Sequence, residues 1–258
     1  MTSNEPLLFL FESLSTVPDI VHGFFTRHGG FSKPPYDTLN VAWNNGDIPE
    51  NVNRNLLMVR QSLELEMLVG SEQVHGDTIH VIDGDTFASS EPRFPVLVTP
   101  PGDALVTQMP GIGLLIKVAD CQAVFLVDPI QKVISNVHCG WRGSVQNILG
   151  KVVGFLQDKY KCRPEGILAA IGPSLGPCCA EFINYKQELD PAFWSYQRRP
   201  QYFDFWEISR NQLLNAGLHH SNIEVAARCT VCNPDHFFSY RGQGTTGRMA
   251  AVIGLKKL

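Results

Sequence analysis

The stretch Lys117–Gly143, KVADCQAVFLVDPIQKVISNVHCGWRG, decides the reading of this chain. It holds two apolar runs separated by Asp128-Pro129, a dipeptide that favours a turn. Two such runs flanking a turn form a β-hairpin candidate. Cys121 stands at the mouth of the first run and His138 at the end of the second. If the runs pair antiparallel, the thiol and the imidazole meet at the open end of the hairpin. A thiolate beside an imidazole can ligate a metal or serve as an activated nucleophile. A third reading is a packed core cysteine beside a histidine that ends a strand, because free cysteine is among the most buried residue types.

Working outward, the 258 residues are 44% hydrophobic, enough for a substantial core, and no linker separates one part of the chain from another. Residues 1–258 are therefore expected to form a single domain. The formal net charge is -4 and no window concentrates Lys and Arg, so neither nucleic acid nor an anionic membrane is an expected partner. The N-terminal MTSNEPLLFLFESLS lacks the basic flank and small-residue cleavage site of a leader, and no apolar run reaches the ~18 residues that span a bilayer. Seven cysteines, two of them adjacent, fit free or metal-bound thiols in a reducing setting, and a cytoplasmic location is expected.

Upstream of the hairpin, Leu7–Phe11 and Val21–Thr26 read as strands, and Val52, Leu56, Val59, Leu63 and Met67 recur at helical spacing with Gly70 as a stop. Thr78–Ile82, Asp103–Thr107 and Gly113–Val118 read as strands. The proline-rich Thr86–Gly102 between them reads as loop. Downstream, Ser144–Tyr160 is an amphipathic helix, Ile167–Ile171 a buried strand, Gly176–Cys179 the entry to a further helix carrying Phe182 and Leu189, and Phe205–Ala216 another helix. Ile223–Ala227, Phe237–Tyr240 and Met249–Leu255 close the chain as strands. Hairpin-like strand order mixed with isolated helices argues for an α+β fold.

His75, in the short turn Gln73-Val-His-Gly76, is a candidate third partner for Cys121 and His138. Two imidazoles and one thiolate give three protein ligands, the pattern of a catalytic zinc whose fourth position stays open. An open zinc acidifies bound water and polarises substrate atoms. The rival is a Cys–His hydrolase in which His138 activates Cys121. Copper is a weaker fit, since no His-x-His pair occurs. Hydride transfer lacks a GxGxxG at the start of a βαβ unit. Arg27, Arg142, Arg241 and Arg248 stand in glycine-rich surroundings suited to phosphate or carboxylate binding. Cys229-x-x-Cys232 has no second CxxC partner and reads as structural, and Cys178-Cys179 as two small packing residues. Cys139 should face away from His138.

Six motifs taken together, GFFTRHGGFS (23–32), QVHG (73–76), ADC (119–121), VHCGWRG (137–143), IGPS (171–174) and FFSYR (237–241), resemble the laccase-domain family over Val21–Leu255. Members of that family, once called polyphenol oxidases or multicopper laccases, are regarded as purine nucleoside phosphorylases with adenosine deaminase activity. The resemblance implies zinc, with copper as the alternative, on His75, Cys121 and His138. It implies a layered α/β/β/α sandwich akin to the cysteine-hydrolase toxins, which keeps the thiol hydrolase as the second reading. The implied substrates are adenosine, inosine and S-methyl-5′-thioadenosine with phosphate. Asp120 is then the candidate to move a proton during attack of water at adenosine C6, and Arg27 or Arg241 the candidate to hold phosphate. One departure is Gly102, where the family more often has Ala.

Overall fold

The computed structural model describes residues 5–89 and 91–257, so the first four residues of the N-terminal stretch lie outside it. Two mixed sheets face each other. From edge to edge the first runs Leu8–Phe9, Ile20–Phe25, Met249–Leu255, Ile112–Val118, Met67–Ser71, Val96–Thr99 and Glu91–Arg93. The second runs Ile223–Val225, Leu168–Ile171, Gln122–Asp128, Val133–Cys139, Ala104–Thr107 and Ile79–Ile82. The fold is mixed, with two multistranded sheets and few helices. No helix among the described residues is long and apolar enough to cross a membrane.

Three apolar clusters set the layers. Phe24, Leu114, Ile116, Ala251 and Ile253 of the first sheet meet Leu105, Phe125, Ile134 and Ala170 of the second. On the outer face of the second sheet, Val124, Leu126, Val133 and Val137 pack against Leu149, Val152 and Leu156 of helix Ile148–Tyr160 and Leu213 of helix Phe205–Asn215. On the outer face of the first, Leu68, Leu115 and Val252 receive Val52, Leu56 and Val59 of helix Pro49–Ser62. Every residue of Gln122–Asp128 and Val133–Cys139 is buried, because both faces of that hairpin are covered. This explains the continuous apolar runs that stood out in the sequence.

The hairpin forms as read. Its strands pair antiparallel from Val133↔Asp128 to Cys139↔Gln122, with His138 opposite Ala123. Asp128 accepts from the amides of Ile130 and Gln131 and closes the turn. Asn136, fully buried, crosses the central core: its Nδ2 donates to the Leu114 and Ala251 carbonyls of the facing sheet, at 2.8 and 2.9 Å.

Several boundaries differ from the sequence expectation. Helix Pro49–Ser62 ends earlier, the chain reverses through Glu64 at φ 53°, and Met67 and Gly70 belong to a strand. Apolar positions four apart satisfy a helix period and also one face of a strand, so spacing alone carried the helix too far. The Thr86–Gly102 segment is not one loop. It contains the last turn of helix Gly84–Ser89 and two strands, of which Glu91–Arg93 lies at a sheet edge, where proline is tolerated. The helix expected from Ser144 starts at Trp141, breaks at Asn147 (φ 55°) and resumes at Ile148. No helix grows from Cys178: the segment turns, and only Tyr185–Glu188 is helical. Phe237–Tyr240 is not a strand. Phe237 and Phe238 are buried loop aromatics, and the Ser239 hydroxyl caps the short helix Tyr240–Gln243.

Replacing Asn136 by Ala removes both inter-sheet donors and leaves buried carbonyls short of a partner. Urea unfolding should show a loss on the order of 2 kcal/mol.

Candidate metal centre and cavity

The open end of the hairpin does bring Cys121 and His138 together, and the loop before strand Ile79–Ile82 adds His75. The ligand atoms of the three residues lie within 4.8 Å of one another. Cys121 Sγ is 3.8 Å from His75 Nε2, and the two imidazoles meet edge to face with centroids 4.8 Å apart. Tetrahedral ligands about 2.0–2.3 Å from a zinc sit roughly 3.3–3.8 Å from each other, so the donor set fits a metal. Gly140 makes the approach possible, since a Cβ there would come within 2.9 Å of the His75 ring and 3.1 Å of Cys121 Sγ.

The cluster is built around Asp103, which is fully buried. One carboxylate oxygen accepts from His138 Nδ1 at 2.7 Å. In the neutral ring that a metal requires, that bond fixes the tautomer and leaves the Nε2 lone pair free, the usual role of a carboxylate behind a ligating histidine. The same carboxylate accepts from the amides of Val74, His75 and Gly76, at 3.3, 3.0 and 2.8 Å. His75 adopts φ 60°, a left-handed conformation held by these bonds. Gln73 completes the loop, pairing with the Lys117 backbone by accepting from its amide at 2.9 Å and donating to its carbonyl at 2.8 Å.

Charge follows from this geometry. Burial alone would raise the Asp103 carboxyl, but the hydrogen bond from His138 and the amides of Gly76 and His75 outweigh it and hold the carboxyl below its ordinary value. Burial would also raise the Cys121 thiol, yet the adjacent His138 charge and hydrogen bonds from both imidazoles bring it down to about 6. Burial opposes a charge on His138, but the Cys121 thiolate and Asp103 lift it to about 9. Without metal the site is thus a thiolate–imidazolium pair.

This cluster lies in the wall of a cavity of about 970 Å³, at the upper end of the range for small-molecule sites. Four cationic side chains line it, Arg93, Lys117, Arg241 and Arg248, together with aromatic rings that include Trp43, Trp141 and Tyr240. Lys117 is half-buried; burial first and the Arg93 charge second press its ammonium down to about 8.

The remaining candidates fall as follows. Arg241 lines the cavity, and its guanidinium donates to the Glu181 carbonyl at 2.9 Å. Arg27 is not among the lining residues; it ties two loops together by donating to the Asp37 and Pro234 carbonyls and pairing with the Asp37 carboxylate. Arg142 is exposed on the Trp141 ring and does not line the cavity either. Asp120 lines the cavity at φ 84°, and its carboxylate accepts from Thr230 Oγ1, Ser239 Oγ and the Arg241 amide at 2.6, 2.7 and 2.6 Å. Cys139 faces away from His138, toward Ser144. The Gly102 departure has a local reason: a Cβ there would lie 2.5 Å from the His80 ring.

Sequence reading missed Asp103, Arg93 and Lys117 as site residues. A signal existed for Lys117, a cation inside an otherwise apolar strand. Asp103, a lone aspartate at a strand start, carried none.

The two-sheet fold thus places a His–Cys–His cluster able to hold a metal in the wall of a cationic cavity. Residues 21–256 match the family model described as multi-copper polyphenol oxidoreductase laccase, and the chain belongs to that family. It is 36% identical over 249 residues to purine nucleoside phosphorylase YlmD of Geobacillus stearothermophilus, covering 92% of this chain and 90% of that one. It is 34% identical over 241 residues to purine nucleoside phosphorylase YfiH of Escherichia coli, covering 89% and 91%. Among solved structures, hypothetical protein YfiH of Bacillus licheniformis superposes with a TM-score of 0.87 at 29% identity over 99% and 98% of the two chains. YlmD of Geobacillus stearothermophilus gives 0.81 at 34% identity over 93% of each.

Three outcomes test the site. Asp103→Asn should weaken metal binding roughly 10- to 100-fold in a chelator competition, because an amide NH2 replaces one acceptor oxygen and either His138 or the His75 loop loses its acceptor. In metal-stripped protein, Cys121 alkylation should rise with pH about a midpoint near 6 instead of the ordinary 9.0. His138→Ala should move that midpoint back up.

Proposed function

We propose that this protein is a zinc-dependent purine nucleoside phosphorylase acting on adenosine, inosine and S-methyl-5′-thioadenosine, with deamination of adenosine as a second activity. The observation that carries the reading is the three-donor cluster in the wall of a cavity lined by four cations. The relatives named as purine nucleoside phosphorylases support it. Among the described residues no methionine lines the cavity, so the axial thioether typical of a blue-copper His₂Cys centre is missing, and zinc is preferred over copper. The layering supports placing the fold with the cysteine-hydrolase-toxin-like sandwiches.

His75, Cys121 and His138 would hold the zinc, which when bound supplies Lewis acidity toward substrate oxygen or water. Lys117, Arg93, Arg241 and Arg248 gather phosphate and neutralise it against the ribose. A phosphate oxygen attacks C1′, the C1′–N9 bond breaks, and the purine departs with the electron pair and takes a proton at N7 from solvent. Trp43, Trp141 and Tyr240 offer faces and edges for the base. Arg27 acts at a distance by bracing the loops. We assign Asp120 to positioning rather than proton transfer, since three donors already meet its oxygens. Glu72, the exposed carboxylate of the lining, handles the proton when water replaces the amino group at C6 and ammonia leaves.

One observation favours a second reading. Cys121, His138 and Asp103 form a thiolate–imidazolium–carboxylate series suited to thiol hydrolysis. That reading leaves His75 without a task.

Purified protein should carry zinc at this cluster and convert adenosine to adenine with phosphate present and to inosine without it, both followed by chromatography. Lys117→Met should raise the KM for phosphate about 10-fold or more, the loss of one charge-assisted bond of about 1.5–3 kcal/mol, with a smaller effect on the KM for nucleoside. Amide hydrolysis by metal-free protein, abolished by Cys121 alkylation, with no nucleoside turnover, would instead establish the hydrolase.

A further inference from the structure

Four of the seven cysteines, none of them part of the site above, meet in one place. The sulfurs of Cys178, Cys179, Cys229 and Cys232 lie within 4.8 Å of one another, with Cys178 and Cys179 Sγ at 3.4 and 3.5 Å from Cys232 Sγ. They come from two loops joined by backbone bonds, Ser174 N to the Arg228 carbonyl at 3.1 Å and Thr230 N to the Ser174 carbonyl at 3.0 Å. The pairs that looked unpartnered in the sequence, Cys178-Cys179 and Cys229-x-x-Cys232, are therefore each other's partners.

We propose that these four thiolates form a second zinc site, closed and structural, separate from the His75–Cys121–His138 cluster. Four thiolates about 2.3 Å from a zinc sit roughly 3.8 Å apart, close to the spacing of the thiols. Four protein sulfurs leave no position for water or substrate, which makes the site structural, and a tetrahedral all-sulfur set selects a soft cation. The Gly176 amide donates to Cys229 Sγ at 3.4 Å, the kind of bond that supports a charged ligand sulfur. Arg199, donating to the Cys178 carbonyl at 2.9 Å, places a cation at the rim of a site that carries two excess negative charges when filled. Zinc binds thiolates, so its entry displaces the thiol protons to solvent, with no change of oxidation state.

The site has something to hold. Leu175, between the bridged Ser174 and the thiol cluster, lines the cavity, and its amide donates to the Asp120 carbonyl at 2.8 Å. Thr230, next to Cys229, donates to the Asp120 carboxylate. Closing the two loops on a cation fixes the turn that presents Cys121.

Peptide-mapped alkylation of the full-length protein, zinc-loaded and zinc-stripped, tests this without relying on turnover. Zinc should protect Cys178 and Cys232, both exposed, as well as Cys121. Metal analysis should give about two zinc per chain, falling by about one in Cys178→Ser/Cys232→Ser while Cys121 stays protected. Equal alkylation of Cys178 and Cys232 with and without zinc, or unchanged zinc in the double variant, overturns the site. So does recovery of a disulfide among the four from protein purified with zinc. Protection of Cys121 reports on the first cluster separately, so failure at one site is not mistaken for failure at the other.

Discussion

The buried carboxylate of Asp103 is the interaction on which the rest of the site depends. A charge with no exposure survives only where donors surround it. Here three consecutive amides and one imidazole do so, and those donors belong to the two structures that must meet. The amides fold the Val74–Gly76 loop into a left-handed turn and carry His75 inward. The imidazole bond turns His138 toward the same point. Asp103 can stand there because the strand it leads into, Ala104–Thr107, pairs with both Val133–Cys139 and Ile79–Ile82.

The sheets supply rigidity for this arrangement. Cys121 precedes a fully buried strand and His138 lies near the end of the next, so both are carried by the hairpin that two layers of core cover. Asp120 adds a second knot at the other side of Cys121, drawing together Thr230, Ser239 and Arg241 from the C-terminal loops. Two carboxylates thus brace the cavity wall from different sides: Asp103, buried behind the histidines, and Asp120, in the lining itself, behind the arginine-bearing loop. Arg93, Lys117, Arg241 and Arg248 line the same cavity.

Much of this was legible in the chain. The hairpin was visible because strands buried on both faces are written as unbroken apolar runs, with Asp128-Pro129 marking the turn. His75, Cys121 and His138 stood out because their types and motifs point to metal chemistry. Elsewhere the pattern misled where one spacing serves two structures, as at Met67, or where aromatic enrichment stood in for strand, as at Phe237 and Phe238. The proline-rich segment before Gly102 was harder still, since edge strands tolerate proline and leave little periodic signal.

By itself the sequence determined the hairpin, three residues of metal-ligand type and a mixed fold of strands and helices, because those follow from local period and side-chain chemistry. Tertiary structure alone decided that Asp103 organises the donors, that Lys117 and Arg93 face the cavity while Arg27 and Arg142 do not, and that two isolated cysteine pairs make one cluster. Each of these is a contact between segments far apart in the chain. Such contacts depend on which strand lies beside which, a choice made by the packing of whole layers and not encoded in any short window of residues.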